Sequence, residues 1–226
     1  MEDGHECIRH IRAFILTAEA LMQRTTACLG FALVLAVPIL AATAAAQTPA
    51  TGMRKAAPPD SEQIGAAIFA LPVQYRAGAR VLGYHGTSTS LTMLRRGTGP
   101  YTCLASDPSK EFHVACYHQS LEPFMARGRQ LRAQGVKDNM VDTVRLAEVR
   151  SGKVPMPTAP TAMYQLFGGR YDPATRTVTG AHPLFMLYMR GATAASTGLP
   201  DKPIDGGPWI MYPGTPKAHI MLSPKP

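Results

Sequence analysis

The chain has 226 residues, 23 Lys and Arg against 15 Asp and Glu, 46% apolar residues and four Cys. This apolar content excludes a disordered chain, the cysteine count excludes a disulfide-dense miniprotein, and the length fits one domain with appendages. A net charge of +8 admits anionic partners but identifies none.

Residues 1–46 read as an export signal. No charged residue falls between Arg24 and Arg54, and positions 28–46 are CLGFALVLAVPILAATAAA. A short apolar run at 29–40 precedes Ala44 and Ala46. Signal peptidase needs such small side chains just before its cut. Arg24 supplies the positive flank, which makes Met22 a natural start. The alternative is a retained anchor, since the uncharged stretch is long enough to span a bilayer. Cleavage leaves a net charge of +9 over 180 residues and removes Cys7 and Cys28. Cys103 and Cys116 remain. In a periplasmic or secreted protein such a pair reads as a disulfide. It would close a loop of about 14 residues, worth about 3 kcal/mol by chain entropy. Two reduced, buried thiols are the alternative. After cleavage no integral membrane segment is expected.

Residues 47–60 (QTPATGMRKAAPPD) predict a flexible leader, and 61–226 a single exported domain. Asp60 and Gln63 have capping-box spacing, and Ile64, Ala67, Ile68 and Leu71 form one helical stripe up to Pro72. Short strands are predicted at 81–84, 91–94, 101–104 and 112–117, divided by Gly-rich and Asp-Pro turns. A helix begins at Ser120 with Pro123 in its first turn and stops at Gly135. A second runs over 139–150, with Met140, Val141, Val144 and Ala147 as its stripe. Arg127, Arg129 and Arg132 suggest either an anionic partner or a solvated helix face, and the solvated face is the commoner outcome. Strands follow at 162–167, 170–171, 176–179 and 184–189. A long surface loop at 191–208 precedes two last strands, 209–212 and 218–222, joined by Pro-Gly-Thr-Pro. The expected fold is α+β: a small antiparallel sheet with two or three short helices packed on it.

Catalytic signatures such as G-x-S-x-G, H-E-x-x-H, a Walker loop or a dinucleotide fingerprint are absent from the sequence. His113 and His118 are five apart, so strand alternation puts them on opposite faces. His219 and Met221 share a strand face. With His182 and Met186 they make a conceivable copper(I) site, because thioethers suit that ion. Core methionines filling gaps are the plainer reading. Asp201, Asp205, His182 and His219 around loop 191–208 are candidates for hydrolase chemistry, and the polar loop at 85–90 is a second such segment. Asp205, Trp209 and Tyr212 are further candidate binding residues. The basic residues are dispersed and lack interleaved aromatics, so nucleic acid is not expected.

Two segments carry a resemblance: TMLRRGTGPYTCLASDP and GGPWIMYPGTPKAHIML. They resemble an uncharacterised group of bacterial exported proteins with a signal peptide, an L-R-x-G-T-x-x-[WY]-T-C segment and a G-G-P-W-[VI]-M-x-x-G-T-P-x-A-H-[IL]-M tail. Here these are positions 94–103 and 206–221. The resemblance implies the compartment and a shared fold, and no activity. It marks the C-terminal hairpin as a defining unit and His219 as its first residue to mutate. The expected function is a non-catalytic binding or structural role outside the cytoplasm. The alternatives are copper handling through His182, Met186, His219 and Met221, and hydrolysis at loop 191–208.

Overall fold

A computed structural model describes residues 54–224. The signal segment, Cys7, Cys28 and the first half of the leader, 47–53, lie outside the described residues. The fold is α+β. Its elements are α1 (Asp60–Ala67), α2 (Val73–Arg76), β1 (Arg80–Gly83), β2 (Thr92–Arg95), β3 (Tyr101–Leu104), β4 (His113–His118), α3 (Glu122–Ala133), α4 (Asp138–Arg150), β5 (Thr161–Phe167), β6 (Arg170–Asp172), β7 (Thr177–Thr179), β8 (His182–Tyr188), α5 (Ala194–Thr197), β9 (Trp209–Met211) and β10 (His219–Leu222). Eight strands form one sheet in the order β2-β1-β3-β4-β5-β8-β10-β9, and β6-β7 is a separate ribbon.

The sheet is larger than expected and mixed. β1 and β3 run parallel, because β2 pairs with one edge of β1 and the chain returns along the other. The expected strand-turn-strand at 162–171 also divides differently. β5 stays in the large sheet, whereas β6 pairs only with β7. Tyr171 of this ribbon reaches α1, where a Cβ on Gly65 would lie 2.3 Å from its hydroxyl oxygen. Pro183 is tolerated in β8 because β10 ends opposite Phe185, so one side of β8 has no partner strand at Pro183.

Strand alternation gives the sheet two unlike faces. One carries Val81, Tyr101, Cys103, Val114 and Cys116 under Ala67, Ala70 and Leu71. Cys103 and Cys116 are directly opposed on β3 and β4, disulfide-bonded, with Cα atoms 4.0 Å apart. The other face carries Ala115, Tyr117, Met163 and Tyr188 beneath Leu121, Phe124, Val149 and Met156. The helices α3 and α4 lie on this second face.

Three local expectations are corrected. Gln63 caps nothing: its amide donates to the Pro58 and Tyr84 carbonyls and accepts from the Tyr84 N–H. The buried face of α4 is Val141, Arg145, Glu148 and Val149, while Met140 is 46% exposed. Charge pairing lets a helix bury ionic groups that hydrophobic periodicity assigns to water. Residues 54–58 of the leader are strapped down. Lys55 N–H donates to Ser109 Oγ, Ala57 N–H donates to the Gly86 carbonyl, and Arg54 pairs with Asp107.

Candidate functional site

On the helical face, the end of α3, the loop after β1 and the loop between β3 and β4 enclose a cleft of about 830 Å³. Its floor is apolar: Leu104 and Ala115 from the sheet, with Phe112 and Phe167 at the side. Leu104 and Ala115 are register partners and so share this face. The walls are ionic. Arg54, Lys110, Arg129 and Arg132 line the cleft against only Asp107 and Glu111. The disulfide lies on the reverse of the sheet, at the base of the loop that forms one wall.

Three of these cations are ion-paired, Arg54 within the wall and Arg129 and Arg132 with carboxylates outside the lining. Arg54 bridges Asp107 at 2.8 Å and donates to the Ser88 carbonyl. Arg129 donates to Glu122 at 2.6 Å and to the Tyr117 hydroxyl at 2.7 Å, and that hydroxyl donates to Glu122. Arg132 bridges Asp138 at 2.8 Å on the exposed side. Lys110 and Glu111 have no side-chain partner among the described residues. Burial raises the pKa of Tyr84, with Asp107 adding to the rise and Arg54 and Arg132 opposing it. Burial likewise pushes the Tyr117 phenol above its ordinary range. Both phenols stay neutral, so the walls keep a cationic excess. Such a cavity can hold a small acidic molecule with an apolar body.

The sequence-chosen residues fall elsewhere. His182 is opposite Phe167 in β5, whereas His219 is opposite Tyr188. Six residues of β8 separate these positions, or about 20 Å. The set His182, Met186, His219 and Met221 therefore does not converge, although Met186 and Met221 are direct partners. His219 is 2% exposed, between the rings of Tyr188 and Tyr212, and its Nδ1 lies 2.7 Å from the Lys217 carbonyl. Burial lowers its pKa, so it is a neutral joint of the C-terminal hairpin.

Asp201 and Asp205 are exposed on loop 191–208. Trp209 and Tyr212 belong to the same hairpin, with Tyr212 over the Lys217 ammonium at 4.4 Å. None of these residues lines the cleft. The polar loop that does is 85–90, through Thr89 and Ser90. Ser120 Oγ lies 2.9 Å from His118 Nδ1, a spacing that nucleophilic catalysis uses. The same His118 nitrogen accepts from Ser120 N–H and caps the turn entering α3, which accounts for the pair structurally.

Sequence reasoning had two signals for the cleft, the arginine cluster of α3 and the polar loop at 85–90. It could not supply the floor, which needs β3, β4 and β5 side by side. Comparison with family models, curated proteins and solved structures finds no match for this chain.

Proposed function

We propose that this chain is an exported binding protein whose cleft holds a small anionic ligand with an apolar body. One observation carries the reading: four cations, Arg129 and Arg132 paired with carboxylates outside the lining and Arg54 with Asp107 in the wall, stand over an apolar floor in an 830 Å³ cavity. The ligand's acidic group would meet Lys110, Arg129 and Arg132. Its apolar part would cover Leu104, Ala115 and Phe167. The half-buried pair with Glu122 matters for Arg129, because a cation already fixed in place loses less side-chain entropy on binding.

Export is supported by the N-terminal pattern, the disulfide, and the resemblance at positions 94–103 and 206–221. No helix among the described residues is long and apolar enough to cross a membrane. Binding rather than catalysis is supported by the cap role of the Ser120–His118 pair.

The test compares straight-chain carboxylates and alkyl phosphates with alcohols of equal chain length, by calorimetry on protein made from the full chain. The anions should bind saturably and more weakly at high salt, as screening requires. Lys110→Ala with Arg132→Ala should weaken them at least tenfold. Equal binding of the alcohols, or no binding of any anion, overturns the reading. Fractionation of the producing cells tests export independently.

A further inference from the structure

Strand register joins Met163 to the candidate residues Met186 and Met221 in a second arrangement. Met163 of β5, Met186 of β8 and Met221 of β10 are direct cross-strand partners, so three thioethers stand in one row on the helical face. Directly opposed side chains on antiparallel strands have Cβ atoms about 5 Å apart. Flexible methionine side chains close that gap easily. Met163 and Met221 are each 7% exposed, while Met186 is half-buried and gives access from outside. Met156 and Met125 pack in the same layer.

Gln165 is the second, independent observation. It is 8% exposed, yet its amide nitrogen faces only sulfur: Met163 Sδ at 3.7 Å and Met186 Sδ at 3.9 Å. Thioether sulfur is a weak acceptor, so this buried donor is poorly satisfied. A row of methionines placed only to fill the core would not require a buried amide aimed at their sulfurs. The other end of the amide, Oε1, lies 3.1 Å from His113 Nε2. Half a turn of the amide would point its carbonyl oxygen at the sulfurs. An N–H would then donate to His113 Nε2 in its Nδ1–H tautomer, and the bound cation would replace the donor that the carbonyl oxygen gives up.

We propose that Met163, Met186 and Met221, with the Gln165 carbonyl after this rotation, form a site for a soft monovalent cation, Cu(I) or its redox-inert analogue Ag(I). Thioethers select these ions over hard divalent ones. The described cysteines do not compete, because Cys103 and Cys116 are disulfide-bonded. None of these four ligands lines the anion cleft, although Gln165 adjoins it through His113 and Ala115, and the site is tested independently of it.

The probe is Ag(I) alone, titrated into protein made from the full chain with Cys7→Ser and Cys28→Ser to remove the other thiols. Calorimetry should give one saturable site, and the methyl resonances of Met163, Met186 and Met221 should shift together. Met186→Leu with Met221→Leu conserves volume and should weaken binding at least tenfold while the thermal melt stays cooperative. Met93→Leu, on the exposed edge strand, should leave binding unchanged. Absence of saturable binding overturns the site, as does undiminished binding in the triple variant Met163→Leu, Met186→Leu, Met221→Leu. Should the double leucine variant fail to fold, the methyl shifts in the otherwise native protein decide the matter. Shifts confined to other methionines overturn the assignment.

Discussion

The two faces of the sheet are stabilised by different physics. The disulfide face is apolar: alanines and Leu71 from the first helical segment cover Val81, Val114 and the cystine. The helical face buries charge. Arg145 lies over the Phe124 ring at 4.0 Å and, with Lys217, donates to Asp142. Arg127 and Lys153 donate to Glu148. Lys217 and Asp142 are 75 residues apart, so this network ties α4 to the start of the last strand. The difference teaches where each face is vulnerable. The first should respond to reductant and the second to acid.

Phe124→Ala should have the largest effect. Phe124 is fully buried and supports Arg145, and a phenylalanine cavity costs about 4 kcal/mol. A calorimetric loss below about 1 kcal/mol would mean the helices collapse onto the gap, and the face would then be plastic.

Replacing both Cys103 and Cys116 by Ser should cost about 3 kcal/mol, read from the urea midpoint. An unchanged midpoint would show that the apolar face needs no crosslink. Asp142→Asn follows, because it leaves Lys217 and Arg145 sharing a neutral amide. Full burial would put the loss at 3–5 kcal/mol, and partial exposure of Asp142 reduces it to about 2 kcal/mol. Hydrogen exchange should rise in α4 and β10 and stay level in β1, β3 and β4.

Acid should separate the faces without any substitution. Burial holds the folded His219 pKa below its ordinary 6.5. The unfolded chain therefore takes up that proton more readily, and stability falls as pH drops below about 6.5. The hydrogen bond from Arg127 outweighs desolvation and holds Glu148 at about 2, against an ordinary 4.5. Its contribution is whole above about 4.5 and fades as pH falls toward 2. Urea midpoints measured against pH should show both steps. His219→Gln should remove the upper step only. Arg132→Ala should be the smallest stability change, within about 0.5 kcal/mol, because its pair with Asp138 is exposed. A larger loss would make Arg132 a structural residue rather than a ligand contact.

The two segments that carried the resemblance are joints. Arg95 donates to the carbonyls of Arg76 and Ala79 and so closes the end of α2. Gly97 passes so close to this corner that a Cβ would lie 2.3 Å from the Arg80 nitrogen. In the tail, Ile210 and His219 are buried, and Lys217 reaches Asp142. None of these five residues lines the cleft, whereas Leu104, Ala105 and Asp107 of the first segment do.

Local rules were enough to read most of the elements, the turns and the cystine from the chain itself. Periodicity, Gly and Pro placement and cysteine parity act over a few residues, and they located the strands, α3 and the C-terminal hairpin closely. Only the tertiary structure decided which charges are buried, since Arg145 and Glu148 look like surface residues until their partners arrive. It also decided the parallel pairing of β1 with β3, the apolar floor of the cleft, and the row that joins Met163 to Met221. Those features depend on strand register across long separations, and no local pattern encodes which side chains register will place together.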